Sequence, residues 1–89
     1  MRKEIKYYVI GGQYYRYNYG GAATLEGAKR LASKNMEHWD NWQGWHYPDI
    51  YDARDCSEYR NFYGLQMLPD PCAVPRAWRE KGEAWSVRY

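Results

Sequence analysis

Apolar and polar residues alternate along "EIKYYVI" (4–10) and again along "YYRYNY" (14–19), with Gly11-Gly12 between the two runs. A period of two sends successive side chains to opposite sides of an extended chain, so residues 4–19 predict a β-hairpin. A loop of Gly11-Gly12-Gln13 pairs Ile10 with Tyr14 and sorts the faces. Ile5, Tyr7, Val9, Tyr15, Tyr17 and Tyr19 then share a core face. Lys6, Tyr8, Ile10, Tyr14, Arg16 and Asn18 share an aromatic and cationic outer face. A slip of one residue would invert every side chain, which favours the sorted register.

The period lengthens after Gly20-Gly21. Thr24 is a good N-cap, and Leu25, Ala28, Leu31, Ala32, Met36 and Trp39 fall on one stripe of a helix over 24–39. Glu26 suits the positive helix end and stands one turn before Arg30. Asp40-Asn41 and Gly44 are the expected stop. Beyond Pro48, strands are expected at about 49–53, at 62–68 ahead of Pro69-Asp70-Pro71, and at 84–89, with one helical turn around Ala77-Trp78. The expected fold is α+β: a small antiparallel or mixed sheet in the order ββαβββ, with one amphipathic helix packed across it. Residues 1–89 form a single domain on this reading, because a second core would not fit.

Composition changes the picture in one respect. Eleven Tyr stand against one Phe, and tyrosine suits an interface better than a dry core because its hydroxyl needs a partner when buried. Net charge is only +2, too little for sequence-independent duplex binding. The charge is zoned, however: +4 over residues 1–30, −3 over 31–60 and +1 over the remainder. No apolar run reaches membrane-spanning length and no export signal is visible. The expectation is therefore a cytoplasmic protein with no membrane partner, in which Cys56 and Cys72 are free thiols.

The candidate chemistry concentrates in "HWDNWQGWHYPDIYD" (38–52). Trp39, Trp42 and Trp45 recur every third residue, as on one side of a helix end tightening into a 3₁₀ turn. Trp39 should turn inward, leaving Trp42 or Trp45 exposed. His38 and His46 stand eight apart, which is poor metal-ligand spacing, so no metal site and no cofactor is expected. No nucleophile elbow or triad pattern is present. Asp49, Asp52, Asp55 and Glu58 form an acidic ridge if the segment is coiled, and alternate faces if it is a strand. Tyr8, Tyr14 and Arg16 on the hairpin's outer face resemble either a protein hot spot or a stacking platform for nucleic acid.

The run Tyr7 to Asp55, "YYVIGGQYYRYNYGGAATLEGAKRLA" followed by "WDNWQGWHYPDIY", resembles small uncharacterised single-domain proteins of phages, prophages and mobile elements in Firmicutes-type bacteria. The resemblance implies action by occlusion of a host protein, such as a CRISPR or other defence effector, or sequestration of a nucleotide signal. It implies no catalytic residue. The leading expectation is a non-enzymatic module in a host bacterial cell, binding its partner through Tyr8, Tyr14, Arg16, Trp42, Trp45, Asp49, Asp52 and Asp55. Binding of single-stranded nucleic acid or a signalling nucleotide is the alternative. A small metal-independent ribonuclease, with His46 as base beside Arg54, is the third reading. Homodimerisation through a sheet edge is left open.

Overall fold

The computed structural model of the chain describes residues 4–39 and 42–89. In chain order the elements are β1 (Tyr7–Gly11), β2 (Tyr17–Ala22), α1 (Leu25–Lys34), β3 (Glu37–His38), β4 (Trp45–His46) and β5 (Asp49–Asp52). A 3₁₀ turn (Ala53–Asp55) follows, then β6 (Cys56–Asn61), β7 (Gly64–Pro69), β8 (Ala77–Trp78) and β9 (Ser86–Val87). Strands β2-β1-β5-β8-β9 form one sheet in which every neighbouring pair is antiparallel. With α1 laid on one face of that sheet, the fold is α+β, as the hydrophobic pattern predicts.

Alternation along β1 builds two cores from adjacent residues. Val9 points to the helix side, where it is buried with Ala28, Ala32, Ile50 and Ala77. Ile10 points the other way and is buried with Tyr51, Cys56 and Leu68 beneath the hairpin β6–β7. The molecule therefore has three layers: helix, sheet and hairpin. Small alanines at the helix–sheet contact let the two backbones approach, and Leu25, Leu31, Tyr7 and Tyr19 close the sides.

The first hairpin keeps its expected faces but not its expected loop. Ile10 pairs with Asn18, not Tyr14, and a bulge between Val9 and Ile10 places Gly20 opposite Val9. The displacement from Tyr14 to Asn18 is an even number of residues, which keeps Asn18 on the side of Ile10; at Val9 the bulge makes it odd, from Tyr15 to Gly20. Gly12 explains the wider loop. At φ +109° it occupies a conformation that L-residues avoid, and a Cβ there would lie 1.9 Å from the Tyr15 carbonyl oxygen. Ile5 and Tyr15, expected in the core, are about half exposed because the sheet ends before reaching them.

Three further expectations need correction. The helix ends at Lys34, five residues short of Trp39. Thr24 caps its start by accepting from the Gly27 N–H at 3.1 Å, as expected, but Asn35 closes its end. The Asn35 N–H reaches the Ala32 carbonyl, and its side-chain amide donates to the Leu31 carbonyl at 2.8 Å. The proposed stop at Asp40-Asn41 lies outside the described residues. Second, the strand expected at 62–68 is β7, which pairs with the unanticipated β6 and covers the sheet's far face. Third, Ala77-Trp78 is not a helical turn but the strand joining β5 to β9. Hydrogen bonds from the Arg76 N–H to the Ile50 carbonyl and from the Arg88 N–H to the Arg76 carbonyl, both 2.7 Å, hold it there. Among the described residues, no helix is long and apolar enough to cross a membrane.

Candidate functional site

Two surface features stand out, and they meet at Gly12 and Trp39. The first is an aromatic patch where the β1–β2 loop lies beside the tip of the β6–β7 hairpin. Tyr15 stacks on Phe62 with ring centroids 5.4 Å apart, and Tyr63 stands edge-on to Tyr15, Tyr17 and Phe62. Tyr17 in turn meets Tyr19 edge-on at 4.9 Å. These rings touch one another yet stay open to solvent: Phe62 is 78% exposed and neighbouring Tyr14 82%. The Asn61 side-chain amide ties the two tips together by donating to the Arg16 carbonyl at 2.6 Å. Tyr14, Tyr17, Tyr19, Trp39 and Tyr63 border a shallow depression of about 410 Å³.

Glu37 holds this region in place. Its carboxylate accepts from the Trp39 indole N–H at 2.6 Å, from the Gly12 N–H at 3.0 Å and from the Tyr19 hydroxyl. Burial, and then the bond to Glu37, push the Tyr19 hydroxyl well above the usual tyrosine range. A Cβ at Gly11 would sit 2.5 Å from Glu37 Oε1 and 2.8 Å from the Tyr19 ring, so a larger residue there would displace the Glu37 and Tyr19 side chains.

The second feature is a cavity of about 380 Å³ assembled from segments far apart in sequence. Its walls include the Ile10–Gly12 strand end, Arg16, Trp39, residues 46–49, Tyr51 and Arg79 with Glu80. Pairing of β3 with β4 puts Trp39 and His46 face to face, ring centroids 4.0 Å apart. Arg16 lies over the Tyr51 ring at 5.8 Å and Arg79 over the Tyr47 ring at 4.8 Å. Asp49 lines the same space. Burial, reinforced by Glu80, lifts its carboxyl to about 6, against the opposing pull of Arg16 and His46. His46 Nε2 is buried without a hydrogen-bond partner among the described residues.

The expected site residues are therefore dispersed. Tyr8 is half-buried against the second core, under the hairpin, and is not part of an open outer face. Tyr14 borders the patch, whereas Arg16 turns to the cavity and donates to the Pro69 carbonyl at 3.4 Å. Trp42 and Trp45 are exposed, at 96% and 46%, and Trp39 is half-buried, which matches the expected division. The Trp-rich run is nevertheless a short hairpin, β3–β4, and not a tightened helix end.

The acidic ridge dissolves. Asp49 and Asp52 pair with Ile10 and Tyr7 on opposite faces of the sheet, and Asp52 forms an ion pair with Arg76 at 3.4 Å. Asp55 and Glu58 are exposed beyond it. His46 and Arg54 line different cavities. Among the described residues no cluster of His, Cys, Asp or Glu has metal-binding geometry. Cys56 is buried and Cys72 exposed, both free, and burial pushes the Cys56 thiol up to about 11.

Sequence reasoning missed Glu37, Arg79 and the Phe62–Tyr63 tip. For the last a signal existed: Asn61 and Gly64 bracket the two rings in the manner of a hairpin turn. No protein-family model, curated protein or solved structure matches this chain.

Proposed function

We propose that this chain is a non-enzymatic binding module that docks on a partner protein through Tyr14, Tyr15, Tyr17, Phe62 and Tyr63 and covers a surface the partner needs. The observation that supports this reading is the mutual packing of exposed rings. Rings already packed on one another, as Tyr15, Tyr17, Phe62 and Tyr63 are, lose little side-chain freedom on docking, and such ordering is one of the costs that reduce binding free energy. Tyrosine and bulky apolar anchors at the centre of a patch are what protein hot spots favour. The resemblance of Tyr7–Asp55 to phage and mobile-element proteins supports a host protein in the bacterial cytoplasm, such as a defence effector, as the partner.

The test is capture from bacterial lysate on immobilised protein, followed by mass spectrometry and a direct titration with the recovered protein. A stoichiometric partner is expected, with affinity about thirtyfold weaker for Phe62→Ala, matching a hot-spot loss of about 2 kcal/mol. Lys81→Ala should leave it unchanged. A partner retained equally by Phe62→Ala and Tyr15→Ala would sink the patch as the contact surface.

A further inference from the structure

The geometry points to a second, small-molecule site: the cavity between the Trp39–His46 stack and the Tyr47 and Tyr51 rings binds a purine nucleotide, base among the rings and phosphate at Arg16 and Arg79. This does not rest on the protein-docking reading, and different residues carry it.

Three observations converge. First, the cavity volume, about 380 Å³, falls in the range of small-ligand pockets, roughly 300–1,000 Å³. Trp39, His46, Tyr47 and Tyr51 put aromatic rings in its walls, the side-chain type on which a heterocycle stacks.

Second, the two guanidinium groups at the cavity are under-used. The ion pairs among the described residues are Lys29–Glu26 and Arg76–Asp52, so neither Arg16 nor Arg79 is engaged by a carboxylate there. Each guanidinium lies over a tyrosine ring and, among the described residues, donates one hydrogen bond to a backbone carbonyl, Arg16 to Pro69 and Arg79 to Glu83. A guanidinium has five N–H donors in a planar fork suited to phosphate, so most of that capacity remains.

Third, the same space holds polar groups of the opposite character. Asp49 is half-buried, forms no ion pair among the described residues, and can accept from base N–H groups. The unpartnered His46 Nε2 marks a further unmet hydrogen bond at the wall. Cations and a carboxyl on one cavity do not suit a simple anion. They suit a ligand with N–H donors on a flat ring and negative charge elsewhere.

Titration with guanosine 5′-monophosphate at low salt, followed by tryptophan fluorescence and by the amide signals of Gly11 and Gly12, tests this. Saturable binding is expected, at least tenfold weaker for guanosine and for inorganic phosphate alone, and weakening as salt rises. Arg79→Ala should weaken binding at least tenfold, and Asp49→Asn should reduce it for the nucleotide more than for phosphate. Phe62→Ala should leave it unchanged, which separates this site from the docking patch. If Arg16→Ala unfolds the chain, Arg79→Ala and the wild-type amide shifts still decide. Absence of saturable binding by both guanosine and adenosine 5′-monophosphates, or equal binding of phosphate alone, overturns the proposal.

Discussion

Asp49 carries the clearest single-residue consequence. Partial burial, and then Glu80, push its carboxyl up from 3.8 to about 6, against the opposing pull of Arg16 and His46. A carboxyl whose pKa is higher in the folded chain than in the unfolded one favours folding only while it stays protonated. Its contribution is thus harmless below about pH 4, turns destabilising between about 4 and 6, and is fully unfavourable above 6. Asp49→Asn should accordingly raise the denaturation midpoint at pH 7 and lose that advantage at pH 4, as read in parallel urea titrations. An unchanged difference between the two proteins across that range would contradict the assignment. That a group opposing stability occupies a cavity wall accords with a functional use for it.

Between elements, the decisive joint is the one that fastens the β6–β7 hairpin to the sheet. Asn18 supplies two of its hydrogen bonds, beside the packing of Cys56 and Leu68 on Ile10 and Tyr51. Its backbone N–H donates to Gln66 Oε1 at 2.8 Å, its side-chain amide donates to the Met67 carbonyl at 2.7 Å, and its Oδ1 accepts from the Gly20 N–H. Asn18→Ala removes the two side-chain bonds and leaves partly buried backbone groups unpaired, a loss of about 1–3 kcal/mol. Amide exchange should speed up first in β6 and β7 while β1 and β5 stay protected. The aromatic patch should loosen with it, because Phe62 and Tyr63 are carried on that hairpin's tip. The hairpin was hard to anticipate: "CSEYRN" has no apolar alternation, and its middle residues are exposed.

For the whole molecule, stability rests on a thin central layer. Val9 and Ile50 are fully buried between helix and sheet, and Ile10 and Tyr51 fill the opposite side of the same two strands. Ile50→Ala should cost about 3–4 kcal/mol, a large part of the roughly 5–13 kcal/mol expected of such a domain. Ile50→Val should cost about 1 kcal/mol, and exposed Leu65→Ala within about 0.5. Chemical denaturation of the three variants measures this directly. A similar loss in Leu65→Ala and Ile50→Ala would mean that the core lies elsewhere.

Local pattern settled what local sterics can settle. The strand period sorted Tyr7 and Val9 from Tyr8 and Ile10, and Thr24 marked the start of the helix, because side-chain direction and capping depend on neighbours a few residues away. Trp39 is half-buried and Trp42 exposed as expected, but beside the paired strands β3 and β4 and not at the helix end that the spacing predicts. Tertiary structure alone decided the rest. Whether Tyr8 is covered depends on a hairpin fifty residues downstream. Whether Ala77 extends depends on the space between β5 and β9. The cavity holding Arg16, Trp39, Asp49 and Arg79 exists only once separate segments have closed around it. Long-range contacts of that kind leave no period in the chain, since what selects them is the shape and burial of the folded whole.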